Sequence, residues 1–234
     1  MEIRNVGNRI MNTWIYPVEN GWVMIDTGYE NRYQKVVQRL NKMLIKPIEV
    51  RYIFLTHAHI DHSGMLPKLY KDGFRGSIFA TEATCDLCNI MLRDSAHIQE
   101  FEAEWRNRKA QRAGEPPYVP LYTMRDAEAA LKAFVGCDYN TPVEIFPGVT
   151  IFFSDAGHLL GSASILVTAT EGDETRSVLF SGDLGNIDRP LIRDPQTPPS
   201  ADFVVIESTY GDRLHGERPD YVNQLTEIIQ TTFD

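Results

Sequence analysis

The chain has 234 residues, 43% of them hydrophobic, which is enough to bury one substantial core and is the composition of a single ordinary globular unit. Its formal net charge of −9 excludes attraction to nucleic acid by bulk charge, which needs an excess of lysine and arginine. No apolar run is long enough to span a bilayer and no basic flank with an apolar core opens the chain, so no membrane partner is expected. The default location is cytoplasmic, and Cys85, Cys88 and Cys137 suit a reducing compartment better than a disulfide framework.

Strands are expected near 2–5, 12–18 and 22–26, the last two joined at Glu19-Asn20-Gly21, an Asn-Gly hairpin signal. The third, Trp22-Val23-Met24-Ile25, ends in the carboxylate of Asp26. A helix over about 31–44 follows, with Val36, Val37, Leu40, Met43 and Leu44 on one face. The apolar run Tyr52-Ile53-Phe54-Leu55 reads as the next strand and leads straight into Thr56-His57-Ala58-His59-Ile60-Asp61-His62. A short helix over 64–70 and a strand near 77–80 come next. Residues 82–113 read as mostly helical with a break near Asp94-Ser95, and Gly114-Glu115-Pro116-Pro117 ends the run. In this stretch Cys85 and Cys88 share one face at i, i+3 and read as buried helix cysteines rather than half a zinc site or a redox pair. Arg106-Asn107-Arg108-Lys109-Ala110-Gln111-Arg112 reads as a solvated face paired with Glu100, Glu102 and Glu104 in preference to a track for a phosphate backbone. A helix over 124–134 and strands near 143–146, 149–154, 163–170, 176–181 and 202–206 complete the chain, with a proline-rich loop from Pro190 to Pro199. Strands alternating with helices in this way describe a layered α/β protein.

The chemistry concentrates at the strand ends. His57 and His59, at i and i+2 after a strand, can converge on one cation while Asp61 and His62 turn to a second. Imidazoles and carboxylates together suit zinc, or manganese or iron at similar geometry, and a structural zinc site would instead recruit thiolates. His158 closes the run from Val149, with Gly157 before it to let the backbone turn, and Asp183 stands between Gly182 and Gly185, where its carboxylate could bridge both metals. Asp26 is better placed to orient metal-binding groups than to bind metal itself.

Asp26, then His57, His59, Asp61 and His62, then His158, then Asp183 resemble, in order and approximate spacing, the metallo-β-lactamase superfamily. The resemblance covers almost the whole chain and implies an α/β fold, the αββα sandwich of mixed β-sheets flanked by helices. It also implies two divalent metal ions: His57, His59 and His158 on the first, Asp61 and His62 on the second, with Asp183 shared. Leu92-Arg93-Asp94-Ser95-Ala96-His97-Ile98-Gln99-Glu100, Ala156-Gly157-His158-Leu159-Leu160-Gly161-Ser162-Ala163 and Glu207-Ser208-Thr209-Tyr210-Gly211-Asp212-Arg213 further resemble the β-CASP branch, which includes the RNA-cleaving subunit of the polyadenylation machinery and ribonuclease J. That branch implies a nuclease acting on RNA, with DNA also open, through a metal-bridging hydroxide, with Asp61, Asp183 and Glu207 as its working carboxylates. Glu207 matches the branch's first motif, a carboxylate that orients a later histidine, and His97 would lie beside the cleft, where it reads equally as a substrate contact or brace for the site and as a packing or capping residue. Asp26, Asp61, Asp155, Asp183 and Glu207 would gather at the site, where two divalent ions offset about four negative charges. A homodimer or a larger processing complex is the expected assembly. A thioester or ester hydrolase would share every ligand, a non-catalytic scaffold or inactive fragment is the third reading, and a flavin-coupled di-iron oxidoreductase would put glutamate where His59 stands. The sequence reaches Asp234 soon after Glu207, where a β-CASP protein continues into an inserted cap. We therefore expect a hydrolase domain over 1–207, the start of a truncated cap region over 208–234, and a sandwich incomplete at its C-terminal side. His215 reads as an exposed loop residue, with a spacing unlike that of the branch's last metal histidine.

Overall fold

The computed structural model describes residues 3–7, 13–28, 30–214 and 220–233; His215 lies outside them. The elements in chain order are β1 (Arg4–Asn5), β2 (Trp14–Val18), β3 (Gly21–Ile25), α1 (Glu30–Lys42), β4 (Val50–Phe54), α2 (Ile60–Ser63), α3 (Leu66–Lys71), β5 (Ser77–Thr81), α4 (Glu82–Ala113), α5 (Met124–Leu131), β6 (Phe134–Cys137), β7 (Val143–Phe146), β8 (Val149–Asp155), β9 (Ala163–Glu171), β10 (Glu174–Phe180), β11 (Phe203–Val205) and α6 (Tyr221–Phe233). They form one six-stranded sheet in the order β1-β2-β3-β4-β5-β6 and one five-stranded sheet in the order β11-β10-β9-β8-β7. β3 through β6 run parallel, whereas β7 to β10 form an antiparallel meander with β11 parallel to β10.

The period-2 alternation of each central strand sorts its side chains into two cores. Met24, Ile53, Leu55, Ile78 and Ala80 turn to one side, where Val36 and Leu40 of α1, Leu66 and Leu69 of α3, Cys88, Leu92 and Ala96 of α4 and Ala127 of α5 cover them. Val23, Ile25, Phe54 and Phe79 turn the other way and meet Ile151, Phe153, Ile165, Val167, Val178 and Phe180 of the second sheet. Burying each large side chain contributes roughly 1.5–3 kcal/mol, so these two seams hold the layers together. The fold is the expected α/β sandwich of two mixed sheets, with α1, α3, α4 and α5 all on the outer side of the first sheet. α6 has no buried residue.

Three local expectations are corrected. α4 runs unbroken through Asp94 and Ser95 for 32 residues, because the Ser95 hydroxyl is paired with the Tyr122 hydroxyl at 2.8 Å instead of competing for the helix backbone. Thr81 caps its start, accepting from the Thr84 N–H at 3.3 Å, and Gly114 at φ 70° ends it. The helix expected over 124–134 stops at Leu131, and Phe134–Cys137 becomes β6, paired in parallel with β5. The short helix expected over 64–70 is α3, and a separate helix before it, α2, takes Asp61 and His62 out of the expected loop and into a helical turn. Cys88 is buried and Cys85 partly so, both as free thiols. The basic end of α4 is solvated, with Arg106 3.3 Å from Glu102 and Arg108 4.0 Å from Glu104.

Candidate metal centre

Four strand ends meet at one edge of the sandwich. β3 delivers Asp26, β4 delivers His57 and His59, β8 delivers His158 and β10 delivers Asp183. The two sheets are tied together there by the Ala163 N–H, which donates to the Thr56 carbonyl at 2.8 Å. Each later ligand-type residue follows a glycine in the left-handed region, Gly157 at φ 63° and Gly182 at φ 57°, a conformation glycine enters freely. A β-carbon on Gly157 would stand 2.5 Å from Pro195 N, and one on Gly182 would stand 2.9 Å from the Ala163 carbonyl oxygen. Both turns therefore need hydrogen at that position.

The side chains gather into two groups, His57 with His59 and His158, and His57 with His62 and Asp183, the candidate ligand atoms of each lying within 4.8 Å of one another. Asp183 stands between them: one carboxylate oxygen is 3.5 Å from His62 Nε2 and the other is 3.8 Å from both His57 Nε2 and His158 Nε2. His59 Nδ1 and His158 Nε2 are 3.2 Å apart. Asp61 belongs to neither group; its carboxylate is 44% exposed and 3.9 Å from His62 Nε2. His97 is exposed on α4 and also belongs to neither.

Asp26 organises the centre from beneath. It is buried, adopts φ 55°, and accepts from the Thr56 N–H at 2.9 Å and the Thr56 hydroxyl at 2.8 Å. The same carboxylate takes the His62 Nδ1 proton at 2.8 Å. Because the Thr56 hydroxyl donates to Asp26, its oxygen accepts from His57 Nδ1 at 3.0 Å. Both imidazoles are thus held by their Nδ1 atoms and present Nε2 to the space beside Asp183. Thr56 is the residue that sequence reasoning missed, and its one signal was its place directly before His57. Farther out, Ser162 Oγ accepts from the His158 N–H at 3.0 Å, and Asp155 accepts from the Gly157 N–H at 2.9 Å. Glu207 accepts from the Leu184 N–H at 2.9 Å, so the carboxylate expected to orient a histidine braces the backbone next to Asp183.

The donor set suits a divalent cation. His57 Nε2 is buried and has no hydrogen-bond partner, a vacancy in bonding that costs about 1–3 kcal/mol unless a charge or donor meets it. Burial, and then the neighbouring His62, hold His57 far below the usual imidazole range, which keeps it in the neutral form that ligates metal. Burial alone would also lower His62, but the Asp26 and Asp183 carboxylates outweigh it and carry His62 up to about 10. Asp183 is held down at about 2, its burial outweighed by the hydrogen bond from His62 and the surrounding imidazoles. The same carboxylates that raise His62 would attract a cation to its place.

Residues 6–74 match the metallo-beta-lactamase superfamily. Ribonuclease TTHA0252 of Thermus thermophilus is 37% identical over 186 residues, which are 80% of this chain and 38% of that protein. The chain carries a metallo-β-lactamase domain. Transcription termination factor FttA of Pyrococcus abyssi is 32% identical over 77% of the chain and 26% of its own length. Cleavage and polyadenylation specificity factor 73 of Drosophila melanogaster is 30% identical over 80% and 25%. By name these relatives are a ribonuclease, a transcription termination factor and a cleavage and polyadenylation specificity factor. The metallo-β-lactamase domain here spans about a quarter to two fifths of the length of the curated relatives it matches. Its fold is that of solved metallo-β-lactamases: MEM-A1, from a soil metagenome library, superposes with a TM-score of 0.51 at 18% identity, over 76% of this chain and 59% of that one. The Cronobacter sakazakii enzyme gives 0.53 at 18% identity, over 81% and 59%. The metallo-β-lactamase fold together with the His/Asp cluster suits divalent metal binding.

Proposed function

We propose that this chain is the metal-binding domain of a phosphodiesterase that cleaves RNA, with a hydrolase unit over 1–207 and a further region beginning near 208. The carrying observation is the position of Asp183, whose two oxygens face the His57 and His158 imidazoles on one side and the His62 imidazole on the other. In this reading His57, His59 and His158 hold one ion, His62 and Asp61 hold a second, and Asp183 is shared. The nitrogen and carboxylate donors favour zinc, with manganese or iron as substitutes.

When bound, such ions supply Lewis acidity toward a phosphodiester and make water a better nucleophile at neutral pH. The protein's own contribution is orientation. Asp26 and Thr56 fix the tautomer and direction of His57 and His62 through their Nδ1 atoms. Glu207 and Gly182 fix the direction of the Asp183 carboxylate through the backbone on either side of it. The relatives, a ribonuclease and a cleavage and polyadenylation specificity factor among them, support RNA as the substrate. Metal charge at a site built from so many carboxylates reconciles the net charge of −9 with a polyanionic substrate.

Elemental analysis after exhaustive dialysis tests the assignment directly, and about two ions per chain are expected. Removing them should abolish cleavage of RNA while a thioester is left uncut throughout, and readdition should restore it. Cleavage that survives both chelation and Asp183→Ala would sink the proposal.

A further inference from the structure

The candidate ligands come from two sheets, so the distance from His158 to the pair His57 and His59 is a distance between layers. A metal centre needs its donors held to within about 0.5 Å, whereas the apolar contact that joins the two sheets has no direction of its own. His57 and His62 are aimed through their ring Nδ1 atoms by Thr56 and Asp26. For His158, the polar contacts of the ring among the described residues are to His59 Nδ1 and to Asp183, the centre itself. Its direction is accordingly set through its backbone, in the turn over 156–162 that joins β8 to β9.

That turn is a closed unit fastened from outside. Ser162 Oγ accepts from the N–H groups of His158 at 3.0 Å and Leu159 at 3.2 Å, and the Ser162 N–H donates to the Leu159 carbonyl at 3.0 Å. Three hydroxyls then hold the unit. Thr81, at the end of β5, and Thr84, in the first turn of α4, both donate to the Gly161 carbonyl, at 2.6 Å and 2.8 Å, and the Tyr139 hydroxyl donates to the Ser162 carbonyl at 2.7 Å. Gly161, at φ 84°, packs so closely on α4 that a β-carbon there would stand 2.6 Å from the Thr84 backbone nitrogen. Thr81 ends the strand that pairs with β4, the strand that delivers His57 and His59. On the other side of Ser162, the Ala163 N–H reaches the Thr56 carbonyl at 2.8 Å. The turn that carries His158 is thus pinned to the first sheet on both sides of Ser162, and Thr81, Thr84 and Ser162 are all buried, where a polar group is held to its partner because water cannot replace it.

We propose that Thr81, Thr84 and Tyr139 are positioning residues for His158, and that their hydroxyls set the affinity for the ion that His57, His59 and His158 share. The inference rests on the metal-binding reading above and is independent of RNA as the substrate. Valine at position 84 or phenylalanine at position 139 would fill nearly the same volume, so what the hydroxyls add is direction. They fix where the Gly161 and Ser162 carbonyls point, and through the closed turn they fix where the His158 ring stands relative to ligands delivered by the other sheet.

The test is zinc titration of the full chain against a competing chelator, with His158→Ala identifying the binding step that uses this histidine. Thr84→Val and Tyr139→Phe should each weaken that step about fivefold, the effect of one neutral hydrogen bond. The double variant should weaken it about 10- to 100-fold, the range for outer groups that orient a ligand, while the step that survives His158→Ala keeps its wild-type affinity. Thr84→Ser should restore binding; a role in packing alone demands the reverse order, since valine keeps the volume that serine lacks. Tyr139→Phe leaves the ring against the core between the sheets and carries the test by itself if thermal melts show the Thr84→Val chain unfolded. Wild-type affinity in the double variant, or equal weakening of both steps, overturns the positioning role and leaves the metal-binding reading intact. A wild-type chain that takes up no zinc overturns both, whereas a zinc-loaded chain that leaves RNA uncut overturns the proposed substrate alone.

Discussion

Asp26 occupies a backbone region that a non-glycine residue enters at a cost of order 1–3 kcal/mol, and at φ 55° the cost is borne where one carboxylate collects Thr56 and His62 together. Asp26→Asn keeps a side chain that tolerates this conformation but points N–H donors at the Thr56 hydroxyl or His62 Nδ1. Metal affinity measured by chelator competition should fall about 10- to 100-fold with the circular dichroism spectrum unchanged; unaltered affinity would remove Asp26 from the centre. The pH response follows from the two imidazoles. His62 is raised from 6.5 to about 10, so in metal-free protein its contribution is complete below about 6.5 and is lost as pH climbs through 10. His57 is lowered, so stability instead declines as pH falls below about 6.5 and the unfolded chain takes up a proton that the folded one refuses. Urea midpoints of the metal-free chain should therefore drop between pH 7 and 9, below the range in which the raised Cys85, Cys88 and Cys137 thiols add a drop of their own, and His62→Gln should lack the drop in that window. Equal alkaline slopes for the two proteins would contradict the pairing of His62 with Asp26 and Asp183.

Among the elements, the strand-to-turn junctions decide whether the centre forms. Gly172 and Gly182 share a positive φ, 60° and 57°, but a β-carbon on Gly172 meets nothing within 4 Å, whereas one on Gly182 meets Ala163 and Thr56 backbone and side-chain atoms. Gly172→Ala should cost only the conformational penalty, about 1–2 kcal/mol. Gly182→Ala should cost more and also lower metal content, because Thr56 and Asp183 would be pushed apart; equal losses in chemical denaturation would mean the turn can relax. This contrast also explains what was legible in the sequence. His57, His59 and His62 lie within six residues and Asp183 beside its glycine, so local spacing pointed to the groups they form, whereas Asp61 from the same stretch stands outside both groups. β6 was hidden because Phe134–Cys137 becomes a strand only through its partner β5, a contact far away in sequence. α4 was misread as broken because the partner that quiets Ser95 is Tyr122, across the fold. His97, the histidine the sequence singled out on α4, is exposed and stands outside both histidine groups.

For the molecule as a whole, the two cores and α6 make opposite demands on stability. Phe153 is fully buried in the seam between the sheets, in a cluster that holds Ile151, Ile165 and Phe180 of the same sheet and Phe54 and Phe79 of the facing one. Leu225, on a helix with no buried residue, is 58% exposed, beside the similarly exposed Val222 and Ile229. Truncation of Phe153 opens a cavity that close-packed neighbours refill only in part, so Phe153→Ala should cost about 3–5 kcal/mol. Leu225→Ala removes no buried surface and should stay within about 0.5 kcal/mol. What α6 does instead is present an apolar strip to solvent, and such strips promote association. Sedimentation of the chain across a concentration series should therefore show self-association that Leu225→Glu with Ile229→Glu diminishes, while the unfolding midpoint at high dilution stays where it was. A fall in that midpoint would place α6 against the sheets, and the sandwich would then owe part of its stability to the helix.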